Sequence, residues 1–446
     1  MLEFPKSLPC ILQDNFKNRH NFKHYLGGNS HLFKGEIDFQ IILKDDTDRA
    51  IYKSFIQDVL KTKDKRFLLN IPLWGSTLGI VELISDNIET LDFKGTTSKV
   101  SMVVKEPYWG DYDFIMRIEA HDKTTEYAWV FGTDNKNDVE VIIFGDTNKV
   151  VTDGFDTHDD DSNTDYRSII MVGDCYIIGK NIVYHFIDFT DDDMDTSIPK
   201  IIHIDKSDRL IYGGYMFYNA TGCEEIHIAP GCFDNIANNF NDFTCMAYNT
   251  TSLKYISPWR LSEGAIARNI FSYSGIDYVP DMLWGNAVTI AGIFEFSKVT
   301  KIPDLHLTKC SSASYAFANC PLSGEQGEIH LYDIGHAVSL TYMFYECNQE
   351  EFQAKIIAHD VMVDCDSMFM SSSIGGLHFD AKITNAHRMF EGCDNISCIS
   401  GRLDTTGADD KEDMFKDCDN LDTPNSDDQD ALMSDDGADW TNDSCS

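Results

Sequence analysis

The chain has 446 residues, with 73 acidic against 36 basic side chains and a formal charge of −37. A surface this acidic repels phosphate backbones and anionic headgroups, which excludes sequence-independent nucleic-acid binding and disfavours docking on anionic lipid. The 43% of aliphatic, aromatic and Cys residues is that of a folded chain, long enough for about two to four domains.

No apolar run reaches the ~18–20 residues that span a bilayer. The opening MLEFPKSLPCILQDNFKNRH has no apolar segment behind a basic patch, so it does not read as a secretory leader. The expectation is a chain made soluble, without membrane insertion.

Residues 1–107 predict an α+β domain. FKGEIDFQIIL alternates apolar and polar side chains like a strand. DDTDRAIYKSFIQDVLKTK then places Ile51, Phe55, Val59 and Leu60 on one helical face, behind acidic residues suited to a helix N-terminus. RFLLNIPLW, LGIVELI and SKVSMVVKEP follow as three strands.

Residues 108–212 are strand-like almost throughout, from DFIMRIEA and TEYAWVF to IVYHFIDF and KIIHID, and predict an immunoglobulin-like β-sandwich. Acidic loops interrupt it at 156–165 and 191–195. In the first, Asp159, Asp161 and Asp165 alternate with Asn163 like half of a calcium loop. Thr164 and Ile170 stand where such a loop needs Gly and Glu, so a solvated loop is the bland reading and an irregular calcium site the sharp one.

From 213 an internal repeat takes over. YMFYNATGC, NIFSYSG, GIFEFSK, YAFANC, YMFYEC, SMFMSSS, RMFEGC and DMFKDC align on Phe217, Phe271, Phe294, Phe317, Phe344, Phe369, Phe390 and Phe415, and a degenerate copy carries Ala247 instead. Successive anchors lie 21 to 30 residues apart. Three residues on comes a small side chain, Cys320, Cys347, Cys393 and Cys418 or Ser274, Ser297 and Ser372. An aliphatic follows, such as Ile276, Val299 or Ile396. Such a unit cannot bury its apolar face alone, so the copies must stack into a solenoid of about nine coils over 213–425. Insertions after Phe217, after Phe317 (SGEQGE) and after Phe344 predict variable loops on one edge. The remaining 426–446 is acidic and predicts a polar cap or tail.

The thirteen cysteines include no Cys-x-x-Cys pair, so zinc spacing is absent. Their periodicity assigns them to packing rather than redox chemistry, with disulfides disfavoured. No Gly-x-Ser-x-Gly, P-loop or His-Glu-x-x-His occurs. The expectation is a non-enzymatic protein without cofactor. Trp259 and Trp284 fall between repeats, with core packing favoured over a role as exposed anchors.

The (Met/Ala/Ile)-Phe-x-x-(Cys/Ser) register resembles the BspA-type leucine-rich repeat, best in YAFANC, YMFYEC, RMFEGCDNI and DMFKDCDNL. That resemblance implies a short strand plus a turn or short helix per unit, with the Cys buried. Phe144-Gly145-Asp146-Thr147 is similar to the Trp-Gly-Asp-Gly turn of the PKD-like sandwiches that precede such repeats, without its Trp and second Gly. RFLLNIPLW and the next two strands look like the N-terminal domain of some phage tail-associated proteins.

The resemblances together imply a virion protein of the tail or surface and a homo-oligomer within the assembly. It would dock on other virion proteins through 1–107 and present its repeats to a host receptor or glycan. A capsid- or tail-stabilising protein is the alternative, and a bacterial adhesin or glycan-cleaving spike a second one.

Overall fold

The computed structural model describes residues 2–3, 10–12, 36–43, 46–61, 66–70, 78–85, 98–105, 112–122, 124–133, 140–145, 165–188, 198–233, 236, 241–332 and 334–443. These are mainly β with few helices. They divide into two compact units, one of residues 1–115 with 140–145 and 178–180, the other of 116–139, 146–177 and 181–446.

In the first unit six strands lie side by side in the order Leu2–Glu3, Arg66–Asn70, Leu78–Ser85, Ser98–Lys105, Glu36–Leu43 and Cys10–Leu12. The outermost pair Leu2–Glu3 and Arg66–Asn70 is parallel and the others are antiparallel. The helix Asp46–Lys61 buries Tyr52, Phe55, Ile56 and Val59. Its apolar stripe is turned relative to the expected one. Ile51 is half-buried, and Tyr52 with Ile56 completes the i, i+3, i+4, i+7 face.

The second unit opens with Glu126–Thr133, an antiparallel strand between Asp165–Val172 and Tyr184–Asp188. Tyr127, Trp129 and Phe131 are buried along it, with the Trp129 and Phe131 rings stacked at 4.6 Å. Asp159 and Asp161 of the acidic loop lie outside the described residues, and Asp165 is the first residue of its strand.

A β-solenoid occupies 201–404. Pro199–Ser207, Glu225–Ile228 and Tyr255–Ile256 pair in parallel, stacking Ile202, Ile226 and Ile256 in one column. Leu305–Leu307, Gly324–Leu331, Phe352–Asp364, Ile374–Asn385 and Cys398–Asp404 continue the parallel pattern, with Ala354, Leu377 and Ile399 in another column. A second, sparser parallel ladder runs through Ile266, Thr289, Ser312, Ser339, Asp364 and Asn385.

The solenoid therefore starts earlier than the repeat suggests. KIIHID, expected in the sandwich, pairs with Phe114–Ala120 on one side and is the first parallel strand of the solenoid on the other, because period-two alternation fixes a strand but not its partners. SGEQGE is not a loop either: it forms the bulged start of Gly324–Leu331.

Inside, the anchor rings form a continuous stack. Phe271, Phe294, Phe317, Phe344, Phe369, Phe390 and Phe415 follow one another at 5.1–5.9 Å with interplanar angles of 5–12°. Phe217 is buried beside His185. Near the Ala247 coil, buried Trp259 packs its ring on Phe233, Phe243 and Phe271 and supplies aromatic volume. Trp284 is buried against Phe294, its indole N–H donating to Pro280 O at 2.8 Å. Both tryptophans are core residues.

Ten described cysteines are free thiols, and Cys320, Cys347 and Cys393 are fully buried. Cys398 departs from the packing expectation, since it is disulfide-bonded. The last parallel strand is closed by Asp439–Asn442, which pairs with it antiparallel. A fork from Arg402 to both Asp439 oxygens, at 2.8 and 3.0 Å, ties the two strands. The short helix Ser426–Met433 lies between, its N-terminal amides capped by Asn425 and its Leu432 buried.

Candidate functional site

Each coil turns through its Met-Phe pair, and the backbone there follows one rule. The residues two before and two after every anchor have φ between 51° and 73°, in all nine coils. Only Gly292 and Gly392 among these eighteen positions are glycine. The left-handed region costs an L-residue about 1–2 kcal/mol, so something must hold the chain in it.

Hydrogen bonding does. The anchor amide of each coil donates to the carbonyl just before the next anchor, at 2.7–3.0 Å in all eight steps. Tyr215 and Asn219, on either side of Phe217, donate in the same direction to Thr244 and Tyr248. The intervening amides close turns within the coil, as in Tyr218 N to Tyr215 O and Ala220 N to Phe217 O. The polar groups of a buried turn are thereby satisfied.

This geometry sends Met and Phe inward and displays their flanks. Tyr215, Tyr273, Phe296 and Tyr315 are 41%, 39%, 43% and 37% exposed, although large apolar side chains. Tyr218, Tyr248, Tyr342 and Tyr345 are half-buried beside them. The rings meet across coils: Tyr218 and Tyr248 stack at 5.2 Å, Tyr273 and Phe296 at 4.6 Å, Tyr315 and Tyr342 at 4.8 Å. A tilted contact at 58° between Tyr248 and Tyr273 joins the first two stacks, and Tyr345 stands edge-on to Tyr342 at 85° in the Phe344 coil. The result is an aromatic stripe along one edge of six consecutive coils.

The polar groups on this edge are amides, hydroxyls and a few carboxylates. Asn249 donates to Asn219 Oδ1 at 3.0 Å, and Ser312, Ser314, Ser339 and Thr341 share a hydroxyl chain. Tyr345 donates to Glu346 at 2.6 Å, which, ahead of burial, pushes its hydroxyl up to about 12. Burial also raises the hydroxyls of Tyr248, Tyr273 and Tyr315, with the Glu295 carboxylate a further cause in each. Burial raises Glu295 itself.

The anchor residues named from the sequence all stand on the inner side. Burial pushes the thiols up, to about 12 for Cys320 and Cys418, about 11 for Cys393 and further for Cys347, so none is a nucleophile at neutral pH. Among the described residues no three His, Cys, Asp or Glu side chains are placed to hold a metal ion. No described helix is long and apolar enough to cross a membrane. A separate open cleft of about 320 Å³ lies beside Pro230, Trp259, Arg260, Asp281 and Leu283.

The stripe itself escaped the sequence reading, which aligned the repeats on the anchor alone. The signal was in the flanking columns: YMFY, MAY, FSY, FEF, SYAF and TYMFYE all carry an aromatic residue one or two places from the anchor. No protein-family model, curated protein or solved structure matches the chain.

Proposed function

We propose that this chain is a non-enzymatic contact protein of a virion, which docks through residues 1–107 and presents its solenoid to a host surface or a neighbouring protein. The observation that carries the reading is the exposed aromatic edge. A soluble protein rarely keeps a contiguous row of large apolar side chains in water unless they mark an interaction site. Aromatic side chains are also the residues that most often dominate contact energy.

The Phe-x-x-Cys register supports a BspA-type leucine-rich repeat for the coils. In this reading residues 1–107 are the α+β docking domain, and 108–212 an immunoglobulin/PKD-like spacer. Several copies in one assembly would turn weak contacts into avid attachment.

Two measurements test it. Antibodies against the full chain should decorate purified particles, and labelling confined to cells would remove the virion assignment. Labelled chain should attach to envelopes of the host cell. Tyr273→Ala/Phe296→Ala should lose attachment while melting at an unchanged temperature, and undiminished attachment would remove the edge as the contact surface.

A further inference from the structure

The exposed edge is neither purely apolar nor neutral, and one side chain gives it a sign. Glu295 sits one residue after the Phe294 anchor, half-buried, next to exposed Phe296. Its carboxylate makes no hydrogen bond or ion pair among the described residues. Its charge also acts on the hydroxyls of Tyr248, Tyr273 and Tyr315, in coils on either side of its own. Two other half-buried carboxylates of the solenoid do hold cations: Glu391 holds Lys416 at 2.6 Å and Asp205 holds Arg117 at 2.9 Å.

A half-buried carboxylate beside an exposed aromatic ring is complementary to a cation. Ring faces attract ammonium and guanidinium groups through their quadrupole, most strongly where water is displaced. A single continuous stack would cover both faces of every ring. Here the stack is broken, with the rings of Tyr248 and Tyr273 tilted by 58°, and Tyr273, Phe296 and Tyr315 stay 39%, 43% and 37% exposed. The formal charge of −37 adds long-range attraction of the same sign and disfavours an anionic polymer.

We propose that the turn edge binds an extended polypeptide segment bearing lysine or arginine, with its cations on the faces of Tyr273, Phe296 and Tyr315 beside Glu295. The stripe is linear, one or two rings per coil, so a linear partner can engage several coils at once. This proposal rests on the reading of the edge as a contact surface, and it names the chemistry of what is contacted.

The test measures binding of blocked hexalysine to the full chain at physiological salt, with cellohexaose and hexaglutamate as comparators. Hexalysine should bind and the other two should not. Glu295→Gln and Tyr273→Ala/Phe296→Ala should each weaken hexalysine by about tenfold. Asp277→Asn removes the same charge from an exposed position away from the stripe and should leave binding unchanged. Equal weakening by Asp277→Asn would reduce the effect to net charge and overturn the proposal, as would failure of hexalysine to bind. Ring-dependent binding of cellohexaose would also overturn it while preserving the contact surface. Loss of that surface itself is read separately, from host-envelope attachment by the ring variant.

Discussion

Cys320, Cys347, Cys393 and Cys418 each donate their thiol to the anchor carbonyl of the preceding coil, on Phe294, Phe317, Phe369 and Phe390, at 2.8–3.0 Å. That carbonyl already accepts the amide three residues on in its own coil, so the thiol occupies its second lone pair. Serine and threonine in the same column do something else. Ser297 and Ser372 meet the next cysteine sulfur at 3.5 and 3.6 Å, Ser297 also accepting from Val299 N at 3.4 Å, and Thr250 turns back to Ala247 O in its own coil. The longer C–S bond is what lets a small side chain span two coils. Cysteine is thus chosen for reach and size rather than reactivity. The anchor ring beside it carries more of the stability. Phe344 has a ring on each side, Phe317 at 5.9 Å and Phe369 at 5.1 Å, and is fully buried. Phe344→Ala should cost about 3–5 kcal/mol in urea unfolding. A cost under about 1 kcal/mol would mean that the neighbouring coils close the gap, and that the stack is not a rigid spine.

At the scale of elements, the repeat was legible because stacked rings require the same side-chain type at the same place in every coil. Phe271 to Phe415 could therefore be read as one column from spacing alone. Partners of strands were not legible. KIIHID alternates in the same way whatever strands lie beside it, and nothing in that pattern announces Glu225–Ile228 as a parallel neighbour on one side with Phe114–Ala120 on the other. The exposed stripe was hidden by chemistry: a Tyr beside Met-Phe looks like more core, and only the positive φ at positions such as Tyr215 and Tyr273 turns it outward. The chain end was legible as polar, but not as a strand. Asp439–Asn442 covers the edge of Cys398–Asp404 with a largely polar strand whose Asp439 and Thr441 are exposed. An uncovered parallel edge is a template for pairing with a second copy. A chain ended after Ala438, which keeps the Phe415 coil and the helix Ser426–Met433, should therefore self-associate in a concentration-dependent way by light scattering, where the full chain does not. If it stays monodisperse, the antiparallel strand is not what guards that edge.

For the whole molecule, its acidity and two buried histidines set opposite demands on pH. Burial lowers the imidazole of His185 to about 3. His203 is lowered to about 3 as well, by burial first and then by Arg117 and His227. His227 stacks on it at 4.6 Å, and Glu119 stands 3.8 Å from its Nε2. In the unfolded chain each takes up a proton near pH ~6.5. Between that value and about 3 the folded state binds fewer protons, so stability is full above pH ~6.5 and falls as pH drops, by up to ~1.4 kcal/mol per pH unit for each histidine. Acidification also relieves the self-repulsion of 73 acidic against 36 basic side chains, but carboxylates do not begin to protonate until pH ~5 and below. The histidines therefore act first. The midpoint of thermal unfolding should fall between pH 7.5 and pH 5, and His185→Leu, which keeps the site apolar beside Trp129 and Phe217, should flatten that fall. A variant whose midpoint tracks that of the unaltered chain across the same range would show that His185 is not a source of the acid sensitivity.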